Sequence, residues 1–70
     1  FKALYIRGNS YFKKDNLSSA IRDLTAALRL KPQHLDCLYY RGMAYSKAES
    51  FDLALADLSS VLEQNPDHVN

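Results

Sequence analysis

The sequence predicts an all-α fold: four antiparallel helices in two tandem helix-turn-helix hairpins, stacked as a stretch of α-α solenoid. Three observations carry this expectation. The chain repeats itself after 34 residues without a gap, so that Leu4-Tyr5-x-Arg7-Gly8-x-x-Tyr11-x-Lys13 returns as Leu38-Tyr39-x-Arg41-Gly42-x-x-Tyr45-x-Lys47. Ala20, Asp23, Leu24, Leu28, Pro32 and His34 return as Ala54, Asp57, Leu58, Leu62, Pro66 and His68 in the same register. A period of this size marks a unit that cannot bury its apolar face alone and must stack on a neighbour. Within each unit the apolar and small residues recur at intervals of three and four, the spacing of a helix face and not of a strand. Each unit is broken once near its middle, at Asp15-Asn16 and at Glu49-Ser50, and closed by a proline.

The first helix is expected from Phe1 to about Lys14. Leu4, Arg7, Gly8 and Tyr11 share one face and meet the second helix of the same hairpin. Gly8 costs about 1 kcal/mol of helix propensity against alanine, a loss that makes sense where a partner helix passes too close for a Cβ. Asn16 has the chemistry of an N-cap, its side chain accepting a backbone N–H of the next helix, and Leu17 packs across the turn. The second helix, Leu17 to Leu30, sets Ala20, Ile21, Leu24, Ala27 and Leu28 on one stripe and ends at Pro32, which cannot donate an N–H and disfavours helix before it. The third helix runs from Leu35 to Ala48, with Cys37, Ala44 and Ala48 small on the side that packs against the second. The fourth, Phe51 to Gln64, starts from Ser50 as N-cap, carries Asp52 at its positive end and closes at Asn65-Pro66. Arg7 and Arg41 occupy inward positions and recur with Asp23 and Asp57 sixteen residues on, in the antiparallel partner helix. That recurrence predicts one ion pair per repeat, with the aliphatic stems buried.

Composition limits the function classes. The 70 residues, 47% of them hydrophobic, are ordinary for one small globular domain. No run of about 18 apolar residues is present to span a bilayer, and no charged-then-apolar leader opens the chain. The single cysteine excludes an intrachain disulfide, which favours a reducing intracellular compartment, the cytoplasm. Beginning and ending near repeat boundaries, the chain is expected to be a piece of a longer protein. Net charge is +1, but it divides: residues 1 to 34 hold seven cations against two anions, and residues 35 to 70 hold two cations against six anions. Two solvated surfaces account for this division; a head-to-tail electrostatic match is the sharper alternative.

The skeleton of Leu4, Gly8, Tyr11, Ala20, Leu24, Ala27 and Pro32, returning as Leu38, Gly42, Tyr45, Ala54, Leu58, Val61 and Pro66, resembles the tetratricopeptide repeat. The resemblance covers nearly the whole chain. It divides the sequence into a first repeat at 1–34, a second at 35–68, and 69–70 as a tail or the start of a further repeat. It implies two stacked hairpins with a right-handed superhelical tendency, and a role in protein interaction. The chain departs from the family pattern in having Arg7 and Arg41 at positions usually aliphatic, Val61 at a small position, and Asp15 and Glu49 in turns usually supplied with glycine.

No catalytic pattern is present: there is no glycine-rich phosphate loop, no H-E-x-x-H and no nucleophile elbow. Cys37 stands without local cysteine or histidine partners and is expected as a packed core thiol. His34 and His68 lie in equivalent loops, where capping or solvent exposure is expected and not metal binding, for want of further ligands. Neither a cofactor nor a metal is expected. Nucleic-acid binding needs a clustered basic stripe, and the acidic second repeat cancels the basic first one. The 35-residue RNA-reading helical repeats are nearest in shape, and the 34-residue period with Pro32 and Pro66 argues against them.

In tetratricopeptide arrays the free face of each first helix lines a concave groove that holds an extended or helical peptide. The resemblance places Lys2, Tyr5, Asn9, Phe12 and Lys13, then Asp36, Tyr39, Tyr40, Met43 and Lys47, on that face. Tyrosine, phenylalanine and methionine supply adaptable apolar area, and Lys13 and Lys47 supply cations. Tyr5 and Tyr39 serve equally well as packing between repeats. The carboxylate clamp of co-chaperone family members does not carry over: Asn9 matches, but Tyr5 stands where lysine is expected and Tyr40 where asparagine is. The expected function is a non-catalytic interaction module that binds a protein partner. The alternative is a structural solenoid segment that contacts neighbouring repeats or another copy of itself. Ala3, Ile6 and Ser10 on the first helix, with Leu55, Leu58, Val61 and Leu62 on the last, are the surfaces such contacts would use.

Overall fold

The computed structural model describes residues 1–64. It contains four α-helices in chain order: α1 (Lys2–Lys13), α2 (Leu17–Leu30), α3 (Leu35–Lys47) and α4 (Phe51–Gln64). The expected Pro66 stop, His68 and the tail at 69–70 lie outside the described residues. α1 packs on α2, α3 packs on α4, and α2 joins the hairpins by packing on α3; α1 reaches α3 over a smaller area.

The core follows the apolar stripes. Leu24, Ala27, Leu28, Cys37, Leu38 and Val61 form one buried cluster, with Phe1, Leu4, Tyr5, Tyr39 and Tyr40 packed around it. Both glycines mark close crossings. A Cβ on Gly8 would stand 2.9 Å from Leu24 Cγ, and one on Gly42 would stand 2.9 Å from Leu58 Cγ. The low propensity of glycine is thus offset by the approach it permits.

The turns show what replaces glycine. Asp15 and Glu49 both take φ 64°, the left-handed region that favours glycine. Around them, Asn16 N–H donates to the Tyr11 carbonyl at 2.9 Å and Ser50 N–H to the Tyr45 carbonyl at 2.8 Å, so each helix end finds a donor across the turn. Asn16 does stand at the start of α2, but its side chain makes no capping bond. Its backbone, at φ −89° and ψ 79°, is tied to the end of α1 and is not in the extended conformation from which an N-cap side chain folds over the next turn. Ala48 is also corrected: it ends α3 as an exposed residue and does not pack against α2. Cys37 and Ala44 do pack there, both fully buried.

Candidate functional site

Each repeat contains the expected ion pair. Arg7 Nε donates to Asp23 Oδ2 at 2.7 Å and Nη2 to Oδ1 at 3.1 Å. In the second repeat Arg41 Nε donates to Asp57 Oδ2 at 2.7 Å and Nη2 to Oδ1 at 2.8 Å. The fork-to-fork geometry is the strong form of this interaction. Both carboxylates are buried. The Arg7 guanidinium holds the Asp23 carboxyl below the usual carboxylate range, against the opposing effect of burial. Arg41 has one bond more, from Nη1 to the Thr25 hydroxyl at 3.3 Å, which ties the second hairpin to α2 of the first. These pairs brace the hairpins and set the faces of α1 and α3 that remain.

On those faces the expected groove residues are partly brought together. Phe12 of α1 meets Tyr40 of α3 with ring centroids 5.7 Å apart, and Lys47 Nζ stands 5.0 Å from the centroid of Phe12. Tyr40 in turn meets Tyr39 edge-on at 5.6 Å. Tyr5 turns toward the loop between repeats, where its ring lies 5.3 Å from His34. Burial, and after it the charge of Asp36, raises the Tyr5 hydroxyl above the usual phenol range. Lys13 is exposed at the open end of α1, and Met43 is half-buried on α3. Asn9, one helical step from both Tyr5 and Phe12, has a buried Oδ1 that accepts no hydrogen bond among the described residues.

Two further residues contribute, His34 in a role expected of it and Lys31 in one that the sequence did not mark. His34 caps α3: its Nδ1 accepts the Cys37 N–H at 3.3 Å, while its ring sits 4.8 Å from Phe1. Lys31 Nζ lies 4.5 Å above the same Phe1 ring. Phe1, His34 and Lys31 thereby close the end of the α1–α3 face nearest Tyr5. Capping, one of the two roles expected of His34, is thus the one it takes, although histidine is not among the preferred capping residues. Cys37 is buried and its thiol is pushed up to about 11, chiefly by burial, which keeps it protonated and unreactive near neutral pH. Among the described residues no helix is long and apolar enough to cross a membrane, and no group of three or more potential ligands is placed to hold a metal.

A search of curated proteins gives no match. Family models do match: the tetratricopeptide repeat is found at residues 1–34 and again at residues 36–68. Repeats of this kind generally mediate protein–protein interaction as non-catalytic modules. With the period, the paired hairpins and the glycine crossings all in place, the chain belongs to the tetratricopeptide repeat family.

Proposed function

We propose that the chain is a non-catalytic interaction module whose α1–α3 face holds an extended or helical segment of a partner protein. The face comprises Tyr5, Asn9, Phe12 and Lys13 of the first repeat, residues 1–34, and Asp36, Tyr39, Tyr40, Met43 and Lys47 of the second, residues 35–68. The observation that carries the reading is the cluster between α1 and α3, where Phe12 meets Tyr40 at 5.7 Å and Lys47 Nζ stands 5.0 Å from the Phe12 ring. It offers partly exposed aromatic area beside a cation, the kind of surface on which a partner segment packs. Lys13 and Lys47 stand at one end of the face, whereas at the other end Asp36 near Tyr5 is offset by Lys31 over Phe1. A preferred segment therefore carries acidic residues toward the lysines and apolar residues over Phe12, Tyr40 and Met43. This reading assigns the chain no reaction, cofactor, nucleic acid or membrane, and it places the two repeats in the cytoplasm as part of a longer array.

Selection from a random peptide library, run in parallel on the native chain and on Tyr40→Ala/Met43→Ala, tests the reading. Acidic and apolar sequences should be enriched on the native chain and should bind the variant at least about tenfold more weakly, the loss of one well-packed contact cluster, while the variant keeps its helical circular dichroism. Failure to enrich any sequence, or equal binding to both chains, would remove the groove. A second reading, contact with another copy of the chain, is favoured by a different observation: Ile6 on α1 and Leu55 and Leu62 on α4 are exposed at opposite ends of the molecule.

A further inference from the structure

We infer that Tyr5 is a positioning residue of the proposed groove: it pins the start of α3 to α1 and so sets the spacing of the two helices. The inference rests on the groove reading and divides the face, with Phe12, Tyr40 and Met43 touching a partner and Tyr5 holding the helices apart. α1 meets α3 over a smaller area than either meets α2, so the side chains that bridge them have a large share in fixing their distance. Among the described residues, the ring contacts of α1 with α3 and its cap lie toward two ends. At the open end Phe12 meets Tyr40 and carries Lys47 over its ring, and these are the side chains on which the partner itself packs.

Tyr5 stands at the other end. Its ring is stacked on that of Phe1 at 6.1 Å and meets His34 edge-on at 5.3 Å. Its hydroxyl donates to the carboxylate of Asp36, in the first turn of α3. His34 in turn accepts the Cys37 N–H at 3.3 Å, and Cys37 is fully buried in the core that both repeats share. Tyr5 therefore grips α3 twice, through the residue that caps it and through a residue of its first turn. Ring and hydroxyl are both engaged before a partner arrives. Contact and positioning leave different kinetic marks. A residue that touches the partner retains it, and its loss speeds dissociation. A residue that holds the helices at the right spacing raises the fraction of chains competent to bind. Its loss slows association in proportion to that fraction and leaves dissociation unchanged.

Tyr5→Phe is the test, because it deletes the hydroxyl and keeps the ring, so the helices should persist in circular dichroism. Spin labels at Lys14→Cys and Ala48→Cys, exposed positions just past the ends of α1 and α3, report the spacing by pulsed dipolar spectroscopy without any ligand. The buried Cys37 stays unlabelled. The native chain should give one narrow distance, and Tyr5→Phe a broader distribution. With a peptide enriched on the native chain, stopped-flow binding to Tyr5→Phe should show association about three- to tenfold slower, the net contribution of one hydrogen bond, at an unchanged dissociation rate. Tyr40→Ala/Met43→Ala should instead speed dissociation. A distance distribution unaltered by Tyr5→Phe overturns the inference, as does a broadened one with association unchanged or dissociation faster. A native chain that binds no peptide removes the groove, and the distance distribution then decides by itself whether Tyr5 sets the spacing.

Discussion

Arg7–Asp23 and Arg41–Asp57 are the same pair in residue type, spacing and the 2.7 Å length of the Nε bond, yet they stand in different surroundings. The second has another hairpin against it: Thr25 accepts from Arg41, and the guanidinium is largely covered. The first has open solvent on that side, and Arg22 Nε lies 3.6 Å from Asp23 as a weaker second cation. What differs between the repeats is thus less their internal structure than what stands on them. In a stacked array, the neighbour decides how much a given residue contributes.

The largest expected consequence is at the arginines. Arg41→Ala leaves a buried carboxylate without its partner and should cost about 3 kcal/mol in urea unfolding. Arg7→Ala should cost clearly less, because water and Arg22 reach Asp23 once the exposed arginine is gone. Equal losses would show that the neighbouring hairpin contributes nothing to the pair.

The glycines give the next contrast. Gly8→Ala drives a Cβ against Leu24, which is fully buried, whereas Gly42→Ala meets Leu58, which is only partly covered. Overpacking of about 1–3 kcal/mol outweighs a propensity gain of about 1 kcal/mol where the neighbour cannot move. Gly8→Ala should therefore lower the melting temperature, and Gly42→Ala should lower it less. A rise for Gly8→Ala would mean that the first crossing is not tight.

The turns differ in the opposite direction. Asp15 and Glu49 share φ 64°, but aspartate tolerates the left-handed region better than glutamate does. Glu49→Gly should stabilise by about 1 kcal/mol and Asp15→Gly by less, as thermal melts would report. A smaller effect attaches to pH. Arg7 depresses the Asp23 carboxyl, so the stability this pair supplies is complete above the unfolded carboxylate value of about 4. It is lost as pH falls through the lower folded value. Asp23→Asn should make acid unfolding shallower below about pH 4, and an unchanged acid slope would contradict the assigned shift.

The sequence carried the helix pattern because the signals were local or repeated. Pro32 ends α2 near Leu30, and the recurrence of Arg and Asp sixteen residues apart predicts both ion pairs. Interactions between repeats were less legible. Nothing in the spacing of Thr25 marks it as the acceptor for Arg41, since that bond depends on how far one hairpin is rotated on the next. Asn16 was expected to cap from its residue type, and the helix that ends just before it holds its backbone elsewhere. His34 was expected either to cap or to face solvent, and only the packing of its ring on Phe1 and its bond to the Cys37 N–H decide for the cap. For the candidate site, helical spacing grouped Phe12 with Tyr5 and Asn9, but only the packing of α1 on α3 brings Lys47 over Phe12 and leaves Asn9 Oδ1 without a donor.

The most direct test of the neighbour's role is to give the first repeat one. A chain in which residues 1–34 are duplicated ahead of Phe1 places a new second helix against α1, with a threonine where Thr25 stands against Arg41. The coupling between Arg7 and Asp23 is then measured by a double-mutant cycle in the native and the extended chains. The expected result is a coupling that rises in the extended chain to match that of Arg41 and Asp57. A coupling unchanged by the added repeat, in a chain that folds and melts cooperatively, would contradict the claim that coverage by a neighbour separates the two pairs.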